Sequence, residues 1–493
     1  MGRGFRRIAA AAVLTIGAPG TGACGFGSAA APRHADAGTL VDDRCDATVP
    51  DPARCARLFV FENRNTRAGR IIPLRLVVLR ATGSEPSPDP VFFLAGGPGQ
   101  AATHLIRGYA RAFAGLRNAR DLVFVDQRGT GGSNALSCNF YGPPDDPQSY
   151  FDQFLPPAKV RACRERLEQT ADLTQYTTTN SVEDLEEIRA ALGYEHVNLV
   201  GGSYGTRLAM EYVRRYEARV RSVILDGAVS TASHVPEDFG QRAQHALDLL
   251  MDECDALEEC RTAFPALRRK SAAIFERLEQ GPARATVAHR ASGRAAQVTL
   301  TRENVAEAIR YMTYSAGEAA RVPLYLEKAY NGDYSPIAMF LLDWRADGTF
   351  DGLYLSITCT EDVPFVADDA EQRDETTYLG AYRIREQRAA CQEWRRGEVP
   401  GWLRQPVSAK VPVLLISGQL DPVTAPAEAA EMARTLPAAR HITIPFGAHS
   451  HGGLAGMGCV TALRDQFITR GSADALDTSC LSQITRSGFT ITR

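Results

Sequence analysis

Val197-Asn198-Leu199-Val200-Gly201-Gly202-Ser203-Tyr204-Gly205-Thr206-Arg207-Leu208-Ala209-Met210-Glu211-Tyr212 reads as an apolar strand, a glycine-framed corner and the start of a helix in direct succession. A chain that turns abruptly from strand to helix strains the residue at the corner, and only small neighbours leave room for it. The Ser203 hydroxyl is therefore expected to project at the carboxyl edge of a sheet, with a helix N-terminus beneath it. G-x-S-x-G alone is a weak motif that an ordinary serine turn also satisfies. The strand before it and the helix after it give it the reading of a nucleophile elbow.

A serine hydroxyl is a poor nucleophile near neutral pH, so this reading requires a base, an acid that orients the base, and donors for an oxyanion. In hydrolases built on such an elbow the chain order is serine, acid, histidine, which confines the search to residues after Ser203. Val411-Pro412-Val413-Leu414-Leu415-Ile416-Ser417-Gly418 reads as a buried strand, and Asp421 lies in the loop that follows, Gln419 to Thr424. Asp421 is the expected acid, although Asp before Pro422 is also common turn chemistry. Asp226, in an Asp-Gly turn after Val223-Ile224-Leu225, is the rival. One strand later, Ile442 to Pro445 runs into a loop rich in small residues that carries His449 and His451. An imidazole titrates near working pH and can accept and return a proton. His449 is preferred because it is closer to the strand end. For the oxyanion, the loop Ala95-Gly96-Gly97-Pro98-Gly99-Gln100 follows the strand Val91 to Leu94. The expected donors are the N–H groups of Gly97 and Tyr204, since Pro98 has none to give.

Outward from these segments, Leu58 to Phe61 and Ile71 to Leu79 predict a hairpin that opens the sheet, and Leu122 to Val125 a buried strand. Ser181-Val182-Glu183-Asp184 has the pattern of a helix cap, with Gly193 ending the helix. Strands alternate with helices as far as Val220 to Leu225, which predicts an α/β fold with a mostly parallel sheet and helices on both faces. From about Ser230 to Gln405 the spacing turns helical with few strand signals, so a helical cap inserted after the sixth strand is expected. The domain reading is a leader over 1–35, hydrolase core over 36–229, cap over 230–405 and core again over 406–493.

The 493 residues, 44% hydrophobic, are enough for a large core, and 55 Lys plus Arg against 58 Asp plus Glu leave a net charge of -3. No basic field points to nucleic acid or to anionic lipid. Arg3, Arg6 and Arg7 precede the apolar stretch Ile8 to Ile16, too short to span a bilayer, which is the pattern of an export signal. Cys24 is either removed with it or becomes a lipidated N-terminus, the only membrane attachment expected. Eleven cysteines, less Cys24, leave an even set suited to an oxidising, periplasmic or extracellular compartment. Connectivity is not deducible from such a set. Sequence neighbours suggest Cys45 with Cys55, Cys138 with Cys163, Cys254 with Cys260, Cys359 with Cys391, and Cys459 with Cys480, the alternative being free buried cysteines. No close Cys-x-x-Cys pair suggests zinc, and no metal or cofactor is expected.

Gly96-Gly97-Pro98-Gly99, Val125-Asp126-Gln127-Arg128-Gly129-Thr130-Gly131-Gly132-Ser133 and the elbow together resemble the α/β-hydrolase aminopeptidases, the proline iminopeptidases and, more closely, the secreted tripeptidyl aminopeptidases. Asp421 and His449 match that family's acid and base. Ala95 departs from it, standing where proline iminopeptidases usually carry histidine. The resemblance implies an α/β-hydrolase fold with an inserted cap, and acidic cap residues that hold the substrate's free α-amino group. Ser356-Ile357-Thr358-Cys359-Thr360-Glu361-Asp362 looks like that stretch, with Glu361 as the candidate and Asp362 behind it. The other reading of the pair is a solvated acidic turn. The expected function is an exported serine aminopeptidase acting on a peptide or small acyl substrate, with no nucleic acid partner. The alternatives are a carboxylesterase or lipase with the same triad, and a non-catalytic binding protein of the same fold.

Overall fold

The structure, a computed structural model, describes residues 35–143, 145–290, 292–346 and 350–491. The expected leader and Cys24 lie outside the described residues. In chain order the strands longer than two residues are β1 (Leu40–Asp43), β2 (Ala53–Phe61), β3 (Ile71–Leu79), β4 (Val91–Leu94), β5 (Leu122–Val125), β6 (Val197–Gly202), β7 (Val220–Asp226), β8 (Ala283–Ala288), β9 (Ala295–Leu300), β10 (Val413–Gly418) and β11 (Ala439–Ile444). Nine of them form one sheet, in the order β1-β2-β3-β5-β4-β6-β7-β10-β11. β1, β2, β3 and β5 pair antiparallel, and every pair from β5 through β4 to β11 is parallel.

β4, β5 and β10 are buried at every position, as unbroken apolar runs covered on both faces should be. Successive residues divide between the two faces. Phe92, Val123 and Leu415 join the core under the helices Thr178–Ala191 and Tyr204–Tyr216, while Phe93, Phe124 and Ile416 join the one under Ile106–Ala112 and Gly458–Arg470. Phe93 stacks on Phe124 at 4.7 Å and meets Phe113 edge-on at 5.0 Å. Truncating such a ring costs about 3–5 kcal/mol.

The structure differs from the sequence reading at three places. The edge strand β1 is additional, so the insertion follows the seventh strand, not the sixth. Leu-Val-Asp-Asp is too short and polar to show a strand pattern, and it is held by pairing with β2, where Asp43 stands opposite Cys55 and Cys55 is bridged to Cys45. The helix expected to be capped at Ser181 begins a turn earlier, at Thr178. Thr177 is its cap, accepting a hydrogen bond from the Asn180 N–H, and Ser181 lies inside the helix with its hydroxyl bonded back to the Thr177 carbonyl. The third difference is in the insertion, where β8 and β9 form an antiparallel hairpin whose alternating burial was masked by small alanine side chains.

The insertion between β7 and β10 is otherwise helical, and its central part packs around a cluster that includes Leu247, Leu250, Ile309, Leu326 and Leu341 and takes in Tyr150, Phe151 and Val423 from outside it. Its later part packs elsewhere: Leu353, Ile357, Cys359 and Trp394 share a cluster with Leu136, Leu173, Tyr176 and Tyr204. The five neighbouring cysteine pairs, Cys45–Cys55, Cys138–Cys163, Cys254–Cys260, Cys359–Cys391 and Cys459–Cys480, are disulfides in the structure.

Candidate active site

The chain leaves β4 for β5 on one side and returns to β6 on the other, so the carboxyl ends of β4 and β6 lie side by side where the winding reverses. Such a switch point opens a crevice for ligands. Leu94 pairs with Gly201, which sets the loop Ala95 to Gln100 against the elbow. Ser203 has φ 53° and ψ -126°, a left-handed conformation costly for a residue with a side chain. The corner closes only because its neighbours are glycines. A Cβ on Gly205 would stand 2.1 Å from the Leu94 carbonyl oxygen, and one on Gly201 2.5 Å from that of Gly205.

β10 and β11 run parallel beside β7, so the loops after them open at the same sheet edge as the elbow. They bring Asp421 and His449 to Ser203. His449 Nε2 lies 3.1 Å from Ser203 Oγ, and His449 Nδ1 lies 2.9 and 3.2 Å from the two Asp421 oxygens. Asp421 is also a turn former, since its Oδ1 accepts from the N–H groups of Val423 (2.8 Å) and Thr424 (2.9 Å). Asp421 thus forms the turn and stands beside His449 Nδ1 at the same time. The Thr424 hydroxyl donates to Asp421 Oδ2 at 2.6 Å. Burial pushes the Asp421 carboxyl up, but His449 and the Thr424 donors outweigh it and hold the pKa below the ordinary value. For His449, burial favours the neutral ring, yet the adjacent Asp421 prevails and its pKa is raised.

His451 and Asp226 form a separate pair, 3.1 Å apart, with Arg464 on the other carboxylate oxygen. Burial opposes the charge on Asp226, but His451 and Arg464 hold its pKa far below the usual range. On the other side, Gly96 lies so close to the nucleophile that a Cβ there would be 3.0 Å from Ser203 Cβ. Gly97 follows with φ +107° and Tyr204 begins the helix after the elbow.

Glu361 and Asp362 are not a solvated turn. They lie in a single π-helical turn, Thr358–Asp362, at 4% and 1% exposure, and Cys359 of that turn is bridged to Cys391. Glu361 accepts from the Thr178 N–H at 2.6 Å and the Thr178 hydroxyl at 2.5 Å, and that hydroxyl is 2.8 Å from the Tyr204 hydroxyl. Glu361 is therefore linked through two hydrogen bonds to the residue beside Ser203. Burial raises its pKa to about 7. Asp362 is engaged with Arg207 at 2.8 Å. Asp126 and Arg128, from the glycine-rich segment after β5, serve the scaffold. Asp126 accepts from Thr103 and Gly132, and Arg128 clasps Asp184 at 2.6 and 2.7 Å.

Three residues near the site carry no motif. Thr424 has the weak signal of standing three positions after the acid in an Asp turn. Tyr314, whose ring packs on His449 at 5.1 Å, and Arg310 beside it come from a helix of the insertion and its end, far in sequence from the ends of β6, β10 and β11.

A strained serine bonded to a histidine and a buried aspartate, at the carboxyl edge of a mostly parallel sheet, defines the class of α/β-hydrolase-fold proteins with a serine–histidine–aspartate site. The chain belongs to the alpha/beta hydrolase family: its residues 89–451 match the family model described as alpha/beta hydrolase fold. It is similar to serine protease Hip1 of Mycobacterium tuberculosis, 31% identical over 199 residues that make up 37% of each chain. It is also similar to the tripeptidyl aminopeptidase of Streptomyces lividans, 29% identical over 221 residues, 41% of this chain and 40% of that one. These matches span only about two fifths of the relatives' length. Among solved structures, the proline iminopeptidase of Mycobacterium smegmatis is similar at 16% identity and TM-score 0.42, over 84% of this chain and 98% of that one.

Proposed function

We propose that the protein is an exported serine aminopeptidase that releases residues or short peptides from free N-termini through an acyl-enzyme. The observation that carries the hydrolytic reading is the 3.1 Å contact of His449 Nε2 with a Ser203 hydroxyl held in a left-handed elbow. Similarity to a serine protease and a tripeptidyl aminopeptidase supports a peptide substrate. Five disulfides support an oxidising compartment.

In this reading Ser203 Oγ attacks the scissile carbonyl while His449 Nε2 takes its proton, and Asp421 fixes the ring through Nδ1 and stabilises the imidazolium. The N–H groups of Gly97 and Tyr204 bind the developing oxyanion, each worth about 3 kcal/mol in the transition state. His449 then protonates the leaving amine, and a water activated by the same ring releases the acyl group. Residues 230–405 act as the cap. It meets the core at this edge through the Phe350 N–H on the Gly99 carbonyl (2.9 Å) and the Ser450 N–H on the Tyr314 carbonyl (2.7 Å). Glu361 receives the substrate ammonium, and its burial makes a charge partner valuable.

The test compares chromogenic amides of one, two and three residues, with free and acetylated amines, alongside a short-chain nitrophenyl ester. Free-amine amides are expected to be turned over in preference to their acetylated forms. Indifference to acetylation together with much faster turnover of the ester would replace the aminopeptidase by a carboxylesterase.

A further inference from the structure

Among the described residues, Arg310 is a buried cation without an anion. It lies on the helix Arg302–Met312 of the insertion at 1% exposure. Among the described residues it forms no ion pair, and its Nε and Nη2 have no hydrogen-bond partner. The other deeply buried arginines near the site are paired: Arg128 with Asp184, Arg207 with Asp362, and both Arg345 and Arg383 with Glu307. Arg310 has only aromatic faces, with Phe239 4.1 Å from its guanidinium carbon, Tyr314 at 5.3 Å and Tyr311 at 5.5 Å. Such faces offset only part of the cost of removing a charge from water. Arg383, on the same Phe239 ring at 5.7 Å, adds a like charge. A guanidinium is not deprotonated in proteins, so Arg310 remains a cation despite its burial.

Its place gives this charge a use. The Tyr314 ring touches both groups, 5.3 Å from the Arg310 guanidinium and 5.1 Å from the His449 imidazole, so the two lie no more than about 10 Å apart. An extended chain advances about 3.3 Å per residue, so a group bound at Arg310 belongs within about three residues of the reacting carbonyl. The cluster also reaches the surface, because Trp344, 41% exposed, stacks on Tyr311 at 4.5 Å and meets Tyr314 at 5.5 Å.

We propose that Arg310 is a substrate-binding residue that receives a carboxylate, so that the protein favours substrates carrying one within about three residues of the cleaved bond. Guanidinium and carboxylate match in charge and in planar geometry. The proposal rests on acyl transfer at Ser203 and is independent of how the amine is held. Two sources share this chemistry: an Asp or Glu side chain on the acyl side, and the C-terminal carboxylate of a short leaving peptide.

The experiment measures kcat/KM for matched pairs with wild type and Arg310→Gln. One arm pairs Glu with Gln at each acyl position of tripeptides, prepared both as chromogenic amides and as nitrophenyl esters. The other pairs tetrapeptides with free and amidated C-termini, and an all-alanine substrate serves as neutral reference. In wild type one arm should show a roughly tenfold to hundredfold preference for the carboxylate, the range of a charge-assisted hydrogen bond, and that arm identifies the source. Arg310→Gln should bring the ratio near one. Because the ratio is internal to each enzyme, a general loss of activity does not enter it. Wild-type ratios near one in both arms, with the neutral reference still turned over, would overturn the carboxylate site and leave the hydrolase reading standing, with no variant needed. A preference that persists in Arg310→Gln would assign it to another residue. Failure of every substrate, with no fluorophosphonate labelling of Ser203, would remove both readings together.

Discussion

The Thr424 hydroxyl stands 2.6 Å from Asp421 Oδ2 and 3.2 Å from His449 Nδ1, so one side chain touches both Asp421 and His449. Its proton goes to the carboxylate, which leaves the histidine Nδ1 proton directed to the same acid. Thr424→Val keeps the shape and removes the donor. A hydrogen bond to a charged group contributes about 1.5–3 kcal/mol, so kcat/KM should fall about 10- to 100-fold. A thermal melt close to that of wild type would show that the loss lies in the positioning of Asp421. Undiminished kcat/KM would mean that the backbone N–H groups of Val423 and Thr424 suffice to hold the acid.

Ser203→Ala should remove activity by several orders of magnitude and abolish fluorophosphonate labelling, and His449→Ala should cost nearly as much. His451 makes the sharper comparison. It is tied to Asp226, whose other oxygen is held by Arg464, so His451→Ala leaves that carboxylate with a partner and should cost less than about tenfold in kcat. The reverse order for the two histidines would transfer the base to His451.

The pH profile follows from two opposed effects on His449. Burial favours the neutral ring, the form that accepts the serine proton, while Asp421 favours the charged ring and prevails. The acid limb of kcat/KM should therefore lie above the ordinary histidine value of about 6.5. Asp421→Asn removes the larger raising influence and leaves burial and Arg310 against Asp226, so the limb should move to lower pH as the rate falls by about 10⁴. An unmoved limb in that variant would assign the titration to another group.

The legible parts of this protein are those where chain connectivity and chemistry coincide. The strand, corner and helix around Ser203 are contiguous in sequence, and Asp421 and His449 each follow a short apolar run, so the strand ends can be read without knowing the sheet order. β1 is not legible in that way, because two of its four residues are aspartates and its place depends on β2. Nor is the true cap of the helix Thr178–Ala191, where Thr177 and Ser181 offer equivalent local signals and tertiary contact with Glu361 falls on Thr178. The burial of Glu361 and Asp362 is a tertiary property, since a short acidic sequence has the same pattern at a surface as in an interior. Arg310 and Tyr314 meet His449 only through the packing of the insertion.

Cys359 and Cys391 close a 32-residue loop around the π-helical turn that presents Glu361. Removing a bridge of that loop size costs about 3–4 kcal/mol. The paired change Cys359→Ser and Cys391→Ser should lower the denaturation midpoint accordingly and weaken the preference for free amines, because the turn loses its clamp. For wild type, alkylation in denaturant before reduction should leave these cysteines unmodified. Ready labelling would show the bridge to be absent from the isolated protein.

Glu361 offers a pH test that separates amine recognition from the triad. Its pKa is raised to about 7 by burial, against the lowering influence of Thr178 and Arg207, with Asp362 adding to the rise. Above that pH the carboxylate is charged and pairs with a substrate ammonium; below it the group is neutral and the pairing weakens. The ratio of kcat/KM for free over acetylated amides should therefore fall as pH drops through about 7. Loss of His449 as base affects both substrates alike and cancels in the ratio. Glu361→Gln should lower the ratio by about 10- to 100-fold at pH 8 and make it independent of pH, with ester turnover scarcely changed. A ratio that keeps its size and pH dependence in the variant would confine Glu361 to its bonds with Thr178 and direct the search for the ammonium site to another acid of the insertion.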